Sequence, residues 1–228
     1  MVIILNQNKN YFALSKTSGL HSVILANSQG NSVAQWLIDA DPKMREVGLK
    51  PEDGGLINRL DFETSGVLVA AKNRQAWLEG RKAFSEGKVR KIYTAILDGR
   101  FEGKLEIQNY IGTPNRGAKK VKVYKEQPAK RERANLAISI FESQRYDAQL
   151  DVSWVSIEIK TGRRHQIRAH AAFIKHTIIG DKLYGSLRSL KEILPQEERE
   201  FFLHSAHLSF YDSISKEEFS ANDIGVEI

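Results

Sequence analysis

No cysteine occurs anywhere in the chain. Disulfides, thiolate nucleophiles and cysteine-ligated zinc are therefore excluded. Long apolar runs are also missing. Val2–Leu5 is followed at once by polar Asn6–Asn10, so the start lacks the basic head and extended apolar stretch of a signal peptide, and no later segment approaches membrane-spanning length. A cytoplasmic protein with no membrane partner is the expectation. Low-complexity tracts, internal repeats and linkers are absent as well, which points to one domain spanning 1–228. What the chain does have is 41% hydrophobic and 27% charged residues over 228 positions, enough to bury a sizeable core. Lys and Arg outnumber Asp and Glu by 34 to 28, a net charge of +6. That excess favours a polyanionic partner only mildly.

Hydrophobic patterning predicts short strands at Val2–Leu5 and Tyr11–Leu14. A helix capped by Asn31 or Ser32 runs to Asp39, with Val33, Trp36 and Leu37 on one face. Pro51–Gly55 reads as a loop, Val67–Ala71 as a buried strand, Gln75–Glu86 as a helix stopped by Gly87, and Ile92–Ile96 as a strand ending at Asp98-Gly99. The stretch Leu105–Ile159 alternates as β structure, and the apolar phase shifts by one residue between Trp154 and Val155, which predicts a bulge there. Helices are expected over Arg164–Lys175 and Leu187–Leu194, a turn over Gly180–Gly185, and a late strand over Leu203–Phe210. Hairpins outnumber βαβ units, so the class is α+β.

Four segments could carry chemistry. In Asn58-Arg59-Leu60-Asp61-Phe62-Glu63-Thr64-Ser65-Gly66 a carboxylate sits on a loop feeding an apolar strand, flanked by hydroxyls able to hold that loop. Taken alone, an Arg-x-Asp is most often a surface ion pair. Thr161-Gly162-Arg163-Arg164-His165-Gln166-Ile167-Arg168-Ala169-His170 gathers three arginines and two histidines, with Arg164 and Arg168 four apart on the predicted helix. His165, His170 and His176 are spaced five and six apart amid positive charge, which does not suit a metal. Lys91-Ile92-Tyr93-Thr94-Ala95 places Tyr93 on the face of Lys91 and Ala95, where core packing is the usual role. Between Arg116 and Arg133, Lys119, Lys120, Lys122, Lys125, Lys130 and Arg131 form either a solvated hairpin or a phosphate-contacting arm.

Taken together and in this order, these segments resemble the RluA-type pseudouridine synthase family over about residues 11–210. The family's His-Arg-Leu-Asp-x-x-Thr-Ser-Gly is matched by Asn58–Gly66, its Lys-x-Tyr-x-Ala by Lys91–Ala95, and its Thr-Gly-Arg-x-His-Gln-Ile-Arg-x-His by Thr161–His170. Gly180–Gly185 and Leu203–Leu208 match the closing motifs, and Lys16–Leu20 the opening one. Asn58 stands where the family has His, Thr17 where it has Pro, and Lys175 near a usual Gly.

The resemblance implies a pseudouridine synthase fold: a mixed, mostly antiparallel, bent central sheet flanked by helices, with an active cleft across its middle. No separate N-terminal RNA-binding domain is expected. It implies isomerisation of a flipped-out uridine in ribosomal or transfer RNA, by a monomer, with no cofactor and no metal. Asp61 is the implied essential carboxylate, Arg168 its counter-charge, and Tyr93 the residue against the uracil, where stacking contributes about 1–3 kcal/mol. Arg59, Arg163, Arg164, His165, Gln166, Lys119, Lys120 and Lys122 are the implied substrate contacts. The alternatives are a catalytically inactive RNA-binding member, suggested by Asn58, and a hydrolase pairing Asp61 with Glu63. The second is disfavoured because hydrolytic carboxylates usually face each other across a cleft from distant segments.

Overall fold

The computed structural model describes residues 2–25, 31–115 and 117–225; Arg116, at the head of the basic stretch, lies outside them. The described residues form two compact units. The first comprises residues 1–91 and 204–228, the second residues 92–203. The chain crosses from one to the other at Lys91/Ile92 and returns at Leu203/His204.

In the first unit β1 (Val2–Gln7) and β2 (Tyr11–Lys16) form a hairpin, followed by α1 (Val33–Ala40), the single turn α2 (Met44–Val47), β3 (Ser65–Ala71) and α3 (Arg74–Ser85). The second unit takes up β4 (Val89–Asp98) from Ile92 onward, then β5 (Lys104–Gly112), β6 (Lys122–Tyr124), β7 (Asn135–Asp147), β8 (Val152–Ile159) and α4 (Gln166–Phe173). The chain then returns to the first unit as β9 (Leu203–Asp212) and β10 (Glu217–Asn222). The class is α+β.

Within the first unit β1, β2 and β3 pair antiparallel, β3 meets β9 in parallel through Ser65–His204 and Gly66–Ser205, and β9 pairs antiparallel with β10. All seven residues of β3 are buried, as a strand covered on both faces requires. Tyr11, Phe210 and Phe219 form a ring cluster within this unit. Tyr11 meets Phe210 edge-on at 5.0 Å and Phe219 at 5.5 Å, while its hydroxyl donates to Ala76 O of α3. Ser32 caps α1 by accepting from Gln35 N, and Asn73 caps α3 by accepting from Ala76 N, each cap contributing about 1 kcal/mol. Trp36 does not share the burial of Val33 and Leu37, the residues expected on its face. It is 38% exposed and lines an apolar hollow with Ile4, Phe12 and Met44, while Val33 and Leu37 are buried.

In the second unit β4, β8, β7, β5 and β6 succeed one another, all antiparallel. Ile96, Val152, Trp154, Ile179 and Phe202 form one buried cluster; Ile111, Val121, Ala137 and Ala169 form another. The bulge expected between Trp154 and Val155 is not there; the irregularity in this pairing is on β7. β8 runs unbroken through Trp154 and Val155, while on β7 Ser143 faces Val155 and Arg145 faces Trp154, leaving Gln144 as the extra residue. Because β8 is unbroken, Val152 and Trp154 lie on one of its faces and Val155, Ile157 and Ile159 on the other, and the phase change marks burial passing from one face to the other.

Two helices are shorter than the sequence suggests. Over Leu187–Leu194 only a single 3-10 turn forms, Leu190–Glu192, capped reciprocally by Ser189 and Glu192, and Leu187 is 98% exposed. Helix α4 starts at Gln166 because His165 takes a left-handed φ of +50°. It ends before Lys175, itself at φ +65°, a conformation that suits the glycine usual in the family. Arg164 therefore precedes the helix instead of sharing a face with Arg168. No described helix is long and apolar enough to cross a membrane.

Candidate active site

Asp61 lies half-buried on the loop that enters β3. The loop is tied to the strand first through Ile57 N, which donates to Val69 O at 2.8 Å, and then through Val69 N, which donates to Asn58 Oδ1 at 2.8 Å. Asn58 thus supplies by side chain the acceptor that a continued strand would supply by backbone, and its carboxamide holds the loop in the place where the family has His. Thr64 N closes the turn onto Asp61 O at 3.1 Å. Gly66 follows at φ +109°, where a Cβ would stand 2.3 Å from Ser205 O. Only glycine lets β3 and β9 approach this closely. Beside it Ser65 Oγ and His204 Nδ1 are 2.9 Å apart. His204 Nε2 lies 2.9 Å from Asp223 O and donates to that carbonyl; in the neutral ring Nδ1 then accepts from Ser65 Oγ.

The opening motif wraps this loop. Gly19 N donates to Phe62 O, Ser18 Oγ to Glu63 O, and Ser22 Oγ both donates to Leu60 O and accepts from Leu60 N. At the centre is Lys16, fully buried, its Nζ donating to Thr17 O at 3.1 Å, Leu20 O at 2.8 Å and Phe62 O at 3.1 Å. Burial pulls its pKa down to about 8, against the opposing attraction of the Asp61 and Glu63 carboxylates. Every main-chain carbonyl from Leu60 to Glu63 accepts a hydrogen bond, so Asp61 is carried on a fixed backbone. Arg59, on the same loop, is exposed.

In the second unit Tyr93 is 8% exposed on the buried face of β4, with Ala95 beyond it and Ile157 opposite on β8. Arg168, on α4, is 4% exposed and pairs two-pronged with Asp181: Nε to Oδ2 at 2.7 Å and Nη2 to Oδ1 at 2.8 Å. The guanidinium also packs near the rings of Phe201, at 4.6 Å, and Tyr184, at 5.2 Å. Removing charges from water costs several kcal/mol per ion, which two short charge-assisted bonds offset. Asp181 was not foreseen as this partner. The signal was the Gly180-Asp181 turn, whose backbone also uses Asp181 O to accept from Tyr184, Gly185 and Ser186 N.

The implied substrate contacts divide. Lys119, Lys120 and Lys122 are exposed. Arg163 is exposed, with Nε donating to Leu136 O at 2.8 Å. Gln166 departs from the expectation of a substrate contact. It is 3% exposed, and its carboxamide donates to Ile138 O and Ser139 Oγ and accepts from Thr161 Oγ1 and Arg163 N, which braces the turn against β7. Arg164 donates from Nη1 to Ala118 O and from Nη2 to Lys119 O, and His165 Nδ1 meets the Tyr184 hydroxyl at 3.0 Å.

Comparison with known proteins agrees with this arrangement of motifs. Residues 10–173 match the family described as RNA pseudouridylate synthase, a match that runs through both units, and the chain belongs to that family. A Helicobacter pylori protein named as an uncharacterized RNA pseudouridine synthase is 34% identical over 159 residues, 67% of this chain and 52% of its own length. The ribosomal large subunit pseudouridine synthase C of Rickettsia felis is 30% identical over 221 residues, 95% of this chain and 65% of its own. Among solved structures, human RNA pseudouridylate synthase domain containing 1 is similar with a TM-score of 0.73 and 22% identity, over 99% of this chain and 85% of that one, a likeness of fold. The chain spans about half the length of the first curated relatives it matches.

Proposed function

We propose that the protein isomerises uridine to pseudouridine in a structured RNA, with Asp61 as the essential carboxylate. The reaction breaks the bond from ribose C1′ to uracil N1, rotates the base, and joins C1′ to C5; the proton on C5 leaves and N1 gains one. No electron acceptor or group donor enters this balance. The base has to leave its stack for the reacting edge to be reached. Asp61 serves by attacking the anomeric carbon, adding to the ring, or removing a sugar proton. Each of these roles needs the ionised form, and Arg168 is assigned as the group that keeps it so, because a guanidinium stays charged at any working pH. Tyr93 is assigned to the uracil face and to the proton on C5. Arg59, Arg163 and the exposed Lys119, Lys120 and Lys122 are assigned to the RNA backbone, with ribosomal RNA and transfer RNA both open as substrates.

The observation that carries this reading is the loop of Asp61 itself: a half-buried carboxylate whose neighbouring carbonyls are all tied down, as a group acting on a bound base requires. Asn58 does not favour the inactive alternative, since its bond to Val69 N gives it a part in holding the loop. Asp61→Asn should abolish tritium release from RNA labelled at C5 of uridine while RNA affinity stays within a few-fold. Turnover retained in that variant removes the assignment.

A further inference from the structure

The loop after β5 returns to the sheet along the start of α4, and three side-chain bonds fasten it there. Arg164 Nη1 donates to Ala118 O at 2.9 Å and Nη2 to Lys119 O at 2.7 Å, while the hydroxyl of Tyr184 accepts from Val121 N at 3.0 Å. The same hydroxyl lies 3.0 Å from His165 Nδ1. Val121 is buried with Ile111, Ala137 and Ala169, and Tyr184 packs against that cluster. On either side of this buried anchor Lys119, Lys120 and Lys122 are exposed. Lys120 Nζ lies 6.0 Å from the Tyr184 ring centroid and Lys122 Nζ 4.9 Å from that of Tyr124.

An arginine fork that binds two successive carbonyls is shaped for main chain, and a loop this basic would otherwise repel itself into many conformers. We propose that Arg164 and Tyr184 are positioning residues that clamp residues 118–121 onto the start of α4, so that Lys119, Lys120 and Lys122 form a preformed strip for the phosphates of the RNA. This rests on the RNA-modifying function proposed above, and it moves Arg164 from phosphate contact to clamp. Preordering reduces the conformational entropy lost on binding. Burial raises the Tyr184 pKa above its ordinary value, so the residue is neutral at working pH and carries no charge of its own to the strip.

That neutrality supplies the test. Affinity for a short transcribed RNA hairpin is measured against salt concentration. Each phosphate contact contributes about 0.7–0.9 to the slope of log affinity against log salt. Tyr184→Phe removes a hydroxyl and no charge, yet it should lower the slope by about one contact or more and weaken binding several-fold. Arg164→Lys keeps the charge but not the fork and should weaken binding as much as Arg164→Ala does. In the protein without RNA, exchange of the Val121 amide should accelerate at least tenfold in Tyr184→Phe. A slope unchanged in Tyr184→Phe, affinity restored by Arg164→Lys, or unchanged Val121 exchange overturns the clamp. Wild-type protein that fails to modify RNA overturns the proposed function instead, and the exchange measurement still reports on the clamp.

Discussion

Lys16 is a buried cation whose surroundings both disfavour and favour its charge, and replacing it with methionine measures which influence wins. The side chain is fully buried, its amine held by three carbonyls and attracted by Asp61 and Glu63, yet its pKa falls from 10.5 to about 8. That gap corresponds to about 3 kcal/mol. In the folded chain the proton leaves near pH 8, whereas in the unfolded chain it stays until about pH 10.5. Between those values the unfolded state holds more protons, so this group's contribution to stability rises with pH. Lys16→Met cannot titrate. The unfolding free energy of the wild type minus that of Lys16→Met should therefore be flat below pH 8 and climb by about 3 kcal/mol toward pH 10.5, read from urea unfolding followed by tryptophan fluorescence. Taking the difference cancels tyrosines and other lysines that titrate in both proteins. At neutral pH the two should differ by no more than about 2 kcal/mol, because relief of the buried charge offsets the hydrogen bonds lost to Thr17 O, Leu20 O and Phe62 O. A difference that stays level through the whole range shows that burial does not govern this amine. One that falls with pH shows that Asp61 and Glu63 stabilise the cation more than burial penalises it.

Three further substitutions probe the geometry. Gly66→Ala should cost about 3 kcal/mol or more in urea unfolding, since its Cβ meets Ser205 O at 2.3 Å with φ at +109°; a loss under 1 kcal/mol would mean that β3 and β9 separate easily. Lys175→Gly should raise stability by up to about 1 kcal/mol by relieving the left-handed φ of +65°, with Lys175→Ala near zero as the control. Asp181→Asn should cost about 3–5 kcal/mol, because it leaves the buried Arg168 guanidinium without the carboxylate that neutralises it; an effect below 1 kcal/mol in thermal or urea unfolding would mean that the pair is hydrated.

Much of this was legible in the sequence because local patterns and close-range constraints agree. The unbroken apolar run Val67–Ala71 became a fully buried strand, and Ser32 and Gly87 marked helix ends through capping and a left-handed φ. The extents of α4 and of the Leu187–Leu194 segment were not legible. Apolar spacing carries no information about a left-handed His165 or about a Ser189–Glu192 capping box closed over one turn. Strand β10 was missed for a related reason: only Phe219 and Ala221 of Glu217–Asn222 are buried, so the alternation is too short to stand out. The bulge expected in β8 is absent because a phase change in apolar residues also arises where an unbroken strand is buried on both faces, as at Val152–Val155.

The site residues illustrate the same limit in chemical form. Motif spacing singled out Arg168 but not its carboxylate, thirteen residues away on the Gly180-Asp181 turn, and the omission changes the physics of the arginine. Paired two-pronged with Asp181, the guanidinium has its plane and its N–H donors fixed in direction by the pair and by the Phe201 and Tyr184 rings. A lysine there would carry the same charge yet could not use two donors on Asp181 while aiming a third along the remaining edge of a planar fork. The motif's arginine is thus specified by geometry as well as by charge. The same distinction separates Arg164, whose fork is directed at main-chain carbonyls, from the lysines it holds in place.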